Sequence, residues 1–179
     1  PFVTLRCLEQ HKCCSSMMNL PINTIVAGIG LGYADAGPTH YATEDQASLR
    51  SLIKSKVYTV SDSISAEKLA EYLLEKNEFS FARLERLPVI DLYQKNKIKK
   101  SDIQNGFKYL IKSKNSKNLV ISQGYQTNRL FSEIKNKKIK NSINLVDIFR
   151  SKPFPRKIIN DIKKAKNLII IDEQILSSS

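Results

Sequence analysis

The sequence predicts an α/β fold in which a partial parallel-sheet domain is followed by a second, smaller α/β domain. Short apolar runs of strand length alternate with longer amphipathic runs along most of the chain, which is typical of a parallel sheet covered on both faces. A connection rich in lysine, asparagine and glutamine separates two such series. With 179 residues, 41% of them hydrophobic, the chain is long enough to bury the cores that this arrangement needs.

The first series is predicted from apolar spacing and from helix-capping residues. Thr43 can cap a helix whose first turn carries Glu44 and Asp45, where carboxylates suit the helix dipole. Ser65 can cap the next helix in the same way. The predicted order is helix 3–18, strand 22–27, a helix opening at 43, strand 56–60, helix 66–76 and strand 79–84.

The second series follows the connection and stops directly after a predicted strand. Its predicted order is strand 118–122, helix 127–135, strand 143–148, helix 155–165 and strand 168–172. We therefore expect a first domain over 1–92, a linker over 93–105 and an incomplete second domain over 106–179. Since the last strand lacks a following helix, we also expect the sheet of the second domain to be unfinished.

The formal net charge of +12 is unevenly distributed. Residues 1–94 hold nine basic and eleven acidic side chains, whereas residues 95–179 hold twenty and six. Seventeen of those twenty are lysines scattered among Asn, Ser and Ile, rather than arginines grouped with aromatic residues. This pattern favours a solvated lysine-rich surface over nucleic-acid binding, although a basic binding module stays open. No apolar run is long enough to predict a membrane span.

The three cysteines, at positions 7, 13 and 14, are odd in number and clustered. They do not suggest a disulfide framework, and a reduced, cytoplasmic setting fits best. His11 beside Cys13 and Cys14 invites a metal-site interpretation, but the sequence offers no second cluster to complete a tetrahedral site. We expect no metal site in this chain.

The segment 28–40 is a glycine-rich loop between a strand and a helix, and it ends at one of only two histidines in the chain. Four glycines and a proline permit tight turns and a close approach of the backbone to a ligand. The loop is not a dinucleotide fingerprint, because Tyr33 stands where the third glycine should be. It also lacks the Gly-Lys-Ser/Thr of a phosphate loop. It predicts a site to which His40 contributes a titratable side chain.

The motif Gly37-Pro38-Thr39-His40, with the acidic pair and helix that follow it, closely resembles the pyrimidine-binding domain of transketolase-like, thiamine-diphosphate-dependent enzymes. Residues 2–10 are similar to the helix that precedes this motif in the family, and residues 79–86 to the final strand of the domain. Residues past about 105 resemble the family's C-terminal domain more weakly.

The resemblance implies transfer of a two-carbon ketol unit between sugars or sugar phosphates with thiamine diphosphate and Mg²⁺. The activating glutamate should lie upstream of Pro1, and the diphosphate and metal ligands on a pyrophosphate-binding domain outside this chain. The resemblance also implies that the chain is a segment cut at both ends, from the latter part of the pyrimidine-binding domain into the C-terminal domain, and the segment alone is expected to be inactive. The implied partners are that domain or subunit and a sugar substrate, within a homodimer or heterotetramer, with no nucleic acid and no membrane.

The same resemblance implies the site residues. His40 matches the motif histidine, which contacts substrate hydroxyls and serves proton transfer, and Phe2 matches the aromatic residue that stacks on the aminopyrimidine. Gly28 and Gly30 are expected to pass close to the cofactor. Arg86 matches the arginine that grips the sugar phosphate.

Two of these assignments have alternatives, and the sequence departs from the family pattern. Arg83 is the alternative to Arg86. Asp35 is expected to bind a sugar hydroxyl if the loop shifts by one position, since Ala36 stands in the matching place. Tyr41 replaces the usual glutamine, and Gly28 occupies the position of a second histidine. These departures make a modified sugar plausible and leave open a deoxyxylulose-phosphate-synthase-like enzyme or a non-catalytic interaction subunit.

Overall fold

A computed structural model describes residues 1–114, 116–137 and 139–176. Its eight described strands form two four-stranded sheets, ordered β1-β3-β2-β7 and β4-β6-β5-β8. The strands are β1 (Asn23–Ala27), β2 (Lys56–Thr59), β3 (Ser80–Leu84), β4 (Phe107–Ile111), β5 (Asn118–Ser122), β6 (Asn144–Ile148), β7 (Arg150–Lys152) and β8 (Asn167–Ile171). The helices are α1 (Leu8–Gln10), α2 (Asp45–Ser51), α3 (Ser63–Leu74), α4 (Lys100–Asn105), α5 (Gly124–Asn136) and α6 (Ile159–Lys164).

The predicted α/β class is confirmed, with one correction to the sheets. β1, β2 and β3 run parallel, as do β5, β6 and β8. However, β7 pairs antiparallel with β2, and β4 pairs antiparallel with β6, so both sheets are mixed. β4 and β7 are edge strands, where an antiparallel partner is common in otherwise parallel sheets.

The first predicted helix is present but irregular. Two π-helical stretches, Phe2–Arg6 and His11–Met17, flank the short α1. Two more short helical turns of the 3₁₀ type, Ala34–Ala36 and Pro38–His40, lie in the glycine loop. Further 3₁₀ turns are Lys140–Ser142 and Arg156–Ile158.

The core of the first sheet lies on both of its faces, as parallel strands require. Val57 and Tyr58 are neighbours on β2 that point to opposite faces, and both are fully buried. On one face Val57 packs with Leu49 and Phe81, and on the other Tyr58 packs with Leu69. Apolar side chains of β5 and β6 form the corresponding cores of the second sheet.

One extended segment joins the two sheets. β6 ends at Ile148, and β7 begins at Arg150 in the other sheet. Between them Phe149 is fully buried in the core of the first sheet. The predicted linker 93–105 contains α4, which the sequence did not predict, and packs apolar side chains into the same core. The domain boundaries themselves stay a prediction.

Asp147 on β6 is a buried polar junction between the two sheets. Its Oδ1 accepts hydrogen bonds from the hydroxyls of Ser61, at 2.8 Å, and Thr127, at 3.2 Å. Its Oδ2 accepts a hydrogen bond from the Tyr93 hydroxyl at 2.8 Å. Ser61 follows β2, Tyr93 lies in the connection and Thr127 lies on α5, so this one carboxyl ties three separate parts of the chain together. Burial raises the pKa of Asp147 to about 7 despite these three donors.

The stability of the protein is therefore expected to depend on the titration of Asp147. Because its pKa is raised in the folded state, its contribution to stability is fully present below the ordinary aspartate pKa and is lost as the pH rises through about 7. Relative to the wild type, Asp147→Asn should gain about 1.4 kcal/mol in free energy of unfolding for each pH unit across that window. Urea unfolding at pH 4.5, 6 and 7.5 measures this, with the exposed Asp91→Asn as control. Parallel pH profiles for the wild type and Asp147→Asn would contradict the expectation.

Candidate active-site cavity

The glycine loop begins with a backbone conformation that only glycine adopts without strain. Gly28 has φ +79°, and its N–H donates to the Leu84 carbonyl at 2.9 Å, which fixes the loop to the end of β3. A Cβ at Gly28 would lie 2.0 Å from the ring of Tyr33. The aromatic ring of Tyr33 therefore covers this glycine directly.

The loop returns to its starting point before α2 begins. The Ala42 N–H donates to the Gly30 carbonyl at 2.8 Å, which forms an isolated antiparallel bridge. Between these residues, Gly37 at φ +85° leads into the short turn that carries His40. The folded loop thus holds His40 beside the carboxyl end of β1.

A cavity of about 360 Å³ opens at this place. The cavity is lined by residues 1–4, by residues 25–29 at the end of β1 and the start of the glycine loop, and by residues 33, 40, 42 and 45. The rings of Phe2 and His40 meet edge to face, with centroids 4.9 Å apart, and the Tyr33 ring lies 6.3 Å from His40. The structure therefore brings together Phe2, Gly28 and His40, three of the residues predicted to form the site.

Only one of the two ring nitrogens of His40 is engaged within the described part of the chain. Its Nδ1 lies 3.1 Å from the Thr39 hydroxyl, whereas Nε2 has no hydrogen-bond partner among the described residues. The side chain is half-buried. Nε2 is therefore available to exchange a proton or a hydrogen bond with a bound molecule.

Arg86 and Asp35 lie together near the cavity but do not line it. Arg86 Nη1 is 3.0 Å from Asp35 Oδ1 and donates to the Gly32 carbonyl at 3.1 Å. The Arg86 guanidinium also stacks over the Tyr33 ring, 4.5 Å from its centroid. Both partners of the ion pair are exposed, so the pair itself contributes little stability and its members can exchange partners.

Arg83, the alternative to Arg86, is enclosed beneath the cavity. Its Nε and Nη2 donate to the two carboxylate oxygens of Asp45 at 3.0 and 2.9 Å. Its Nη1 donates to the Gln46 side chain at 2.9 Å and to the Thr59 hydroxyl at 2.7 Å. Arg83 is 1% exposed, so its guanidinium cannot reach a substrate in the cavity. Arg83 supports the floor of the cavity indirectly, by holding Asp45, a residue that lines the cavity.

Gly30, predicted to lie close to the cofactor, is outside the cavity lining. Its φ is +55°, and a Cβ there would lie 2.6 Å from the side chain of Glu173. The close approach that this glycine permits is to another segment of the same chain. Burial raises the pKa of Glu173 above its ordinary value, and the carboxylates of Glu85 and Asp172 raise it further.

His11 and the two cysteines considered for a metal site lie in different surroundings. His11 Nε2 donates to the Val3 carbonyl at 2.9 Å, and its ring packs edge to face on Phe81 at 4.8 Å. Cys13 and Cys14 are exposed. Across residues 1–114, 116–137 and 139–176, no three His, Cys, Asp or Glu side chains are grouped so that they could hold a metal ion. In the same ranges, no helix has both the length and the apolar character needed to cross a bilayer.

Comparison with known proteins identifies the fold and the family resemblance. No family model matches the sequence. The transketolases of mouse and human are each 32% identical to this chain over 146 residues, which is 80% of the chain. The chain is transketolase-like. It spans 23% of the length of these curated relatives.

Solved transketolase structures share the fold of this transketolase-like chain. A split-gene transketolase, described as an inactive β4 tetramer, superposes with a TM-score of 0.79 at 17% identity, covering 97% of this chain and 55% of its own. Transketolase from Campylobacter jejuni gives a TM-score of 0.73 at 19% identity, covering 96% and 27%. Identities this low show likeness of fold alone.

Sequence reasoning missed two contributors to this cavity. Asp45 was predicted as a first-turn carboxylate of α2 and as part of the acidic pair after the motif, but not as a cavity residue, whereas the structure places it in the cavity wall against Arg83. No lining role was predicted for Tyr33, which stands where a dinucleotide fingerprint has its third glycine. The position of Tyr33 five residues after Gly28, within the glycine-rich loop, is the sequence signal for the ring that covers Gly28.

Proposed function

We propose that this chain contributes one wall of the cofactor and substrate site of a transketolase-like transferase. The enzyme transfers a two-carbon ketol unit between sugars or sugar phosphates. The observation that carries the proposal is the meeting of Phe2 and His40 at the cavity, one aromatic and one titratable ring with centroids 4.9 Å apart. Similarity to transketolases over 80% of the chain supports the assignment.

The cavity suits the aminopyrimidine ring of thiamine diphosphate. Arg6 lies over the Phe2 ring, 4.1 Å from its centroid, and helps to fix the ring where it borders the cavity. Ile29 and Ala42 add apolar surface to the lining. An aromatic heterocycle gains stacking and apolar burial in such a place. When bound, thiamine diphosphate supplies the carbanion that accepts and donates the ketol unit.

His40 is proposed as the catalytic residue of this wall. With Nδ1 at the Thr39 hydroxyl, Nε2 is the nitrogen that can hydrogen-bond a sugar hydroxyl and take or return its proton. The edge contact with Phe2 and the short turn after Gly37 limit the rotation of the ring. His40 is thereby held in one orientation toward the reacting sugar.

Arg86 and Asp35 are proposed to bind the distal part of the sugar. Their ion pair is exposed, so a phosphate group can displace Asp35 from the guanidinium at small cost. Stacking on Tyr33 keeps Arg86 at the rim during this exchange. The released Asp35 carboxylate can then accept a hydrogen bond from a sugar hydroxyl. A modified sugar remains part of the proposal, since Ala36 and Tyr41 depart from the family motif.

The remaining parts of the site are proposed to come from a pyrophosphate-binding domain or subunit. That partner would hold the diphosphate and Mg²⁺, in a homodimer or a heterotetramer in the cytoplasm. The relatives are transketolases, which supports ketol transfer over a deoxyxylulose-phosphate-synthase-like activity. Gly28 is proposed to let the loop pass close to the cofactor, and Gly30 to admit Glu173 instead.

Calorimetric titration of thiamine diphosphate with Mg²⁺ into the complete assembled protein tests the proposal. Phe2→Ala removes the proposed stacking surface and is expected to weaken binding about tenfold, equivalent to about 1.4 kcal/mol. Phe154→Ala, at a phenylalanine 43% exposed and outside the cavity lining, is the matched control and should bind like the wild type. Equal affinity of Phe2→Ala and wild type would reject the stacking role. Absence of any saturable binding by the folded assembly would reject the proposed function.

A further inference from the structure

The segment that follows β8 packs against the loop that carries His40. We infer that residues 172–175, named the brace, hold the histidine loop (residues 37–45) in its working position, and that Gln174 is a positioning residue for His40. The inference rests on the proposed function of His40. The brace belongs to the second sheet's unit and the histidine loop to the first, so the contact links the two units.

Gln174 contacts both ends of the stretch that leads from His40 into α2. Its Nε2 donates to the Ala42 carbonyl at 3.1 Å, and its Oε1 accepts the Gln46 N–H at 3.3 Å. The next residue adds a backbone contact, in which the Ile175 N–H donates to the Thr43 carbonyl at 3.0 Å. A single amide side chain thus uses its donor and its acceptor to span five consecutive residues of the loop and the start of α2.

The brace is itself anchored on the start of α5. Gln123, the residue before α5, donates from Nε2 to Asp172 Oδ2 at 2.6 Å. Gln126 on α5 donates from Nε2 to Glu173 Oε1 at 3.0 Å. Glu173 also occupies the space that a Cβ at Gly30 would need. These contacts give the brace a fixed support, so it can restrain the loop rather than move with it.

Gln174 acts on His40 indirectly, through its hydrogen bond to Ala42. Ala42 is 2% exposed, and its N–H donates to the Gly30 carbonyl. The carbonyl of Ala42 accepts its hydrogen bond from the side chain of Gln174. Without Gln174, this buried carbonyl would lose its partner, and the chain two residues after His40 would shift to find another. Since catalysis depends on ring placement within about 1 Å, such a shift would reach the reaction.

The two histidines make the inference measurable without any activity. With ¹³C-labelled histidine in the full-length protein, the His40 ring Cε1–H signal of Gln174→Ala is expected to shift and broaden, and the His11 signal to stay in place. His11 is the internal control because its ring bonds the Val3 carbonyl and packs on Phe81 of β3, outside the histidine loop. Gln104→Ala, at an exposed glutamine, is the matched variant in which neither signal should move. An unchanged His40 signal in Gln174→Ala, or movement of both signals, would overturn the inference.

Kinetics of the assembled enzyme give the second readout. Gln174→Ala is expected to lower kcat about ten- to a hundredfold while the KM for thiamine diphosphate stays unchanged, since the Arg6 guanidinium still lies over the Phe2 ring and holds it at the cavity. A rise in that KM with kcat unchanged would overturn the positioning role. If the wild type transfers no ketol unit, the proposed function fails, whereas the histidine signals still decide whether the brace restrains the loop.

Discussion

Replacement of Asp45 with alanine is expected to lower the free energy of unfolding by about 3–5 kcal/mol, the cost of leaving one member of a buried ion pair without its partner. Asp45 and Arg83 form a two-pronged pair in which both side chains are 2% exposed. With Asp45 removed, the guanidinium keeps Gln46 and Thr59 but has no counter-charge in a dry environment. Urea unfolding of the wild type and variant at neutral pH measures the difference.

A double variant distinguishes the cost of an unpaired buried charge from the cost of lost side-chain packing. Arg83→Met combined with Asp45→Ala removes both charges and is expected to recover most of the stability, because the penalty for an unpaired buried cation disappears. The exposed pair of Arg86 and Asp35 is the matched comparison, and Asp35→Ala should cost no more than about 1 kcal/mol. A loss below about 1 kcal/mol for Asp45→Ala would show that the pair does not support the cavity floor.

Replacement of His40 with alanine is expected to reduce kcat/KM for ketol transfer about 10²- to 10⁴-fold, the usual contribution of a positioned acid–base group. Among the described residues, His40 is the only histidine that lines the cavity. The stability should change little, because His40 is half-buried and bonded only to Thr39. We therefore expect the activity to respond to replacement of His40 and the stability to respond to replacement of Asp45.

Much of the fold could be predicted from the sequence because parallel strands buried on both faces leave a strong apolar signal. Strands β1, β2, β3, β5, β6 and β8 were all expected within two residues of their observed bounds. β7 leaves no such signal: its residues are Arg150, Ser151 and Lys152, and it exists because backbone groups of β2 were available for pairing. α4, with only six residues, is likewise too short for an apolar period to be visible.

The residues of the candidate site that belong to one short sequence motif could be predicted. Contacts between residues far apart in the sequence could not. The glycine loop, His40 and Phe2 follow from the family resemblance, and the structure brings Gly28, His40 and Phe2 to one cavity. The burial of Arg83 was not predictable, because it depends on Asp45, which is 38 residues away. The brace could not be predicted either, because Gln174 contacts Ala42 across 132 residues and no local sequence pattern indicates such a contact.

The most direct test of the central claim is steady-state ketol transfer by the complete assembled protein with thiamine diphosphate, Mg²⁺, a ketose phosphate donor and an aldose phosphate acceptor. The wild type is compared with His40→Ala and with His11→Ala, since His11 is the other histidine of the sequence and does not line the cavity. The account predicts turnover by the wild type and His11→Ala and a loss of at least about 10²-fold in His40→Ala. Equal turnover by all three proteins would contradict the role of His40, and no turnover by a folded wild-type assembly would leave a non-catalytic subunit that retains the fold.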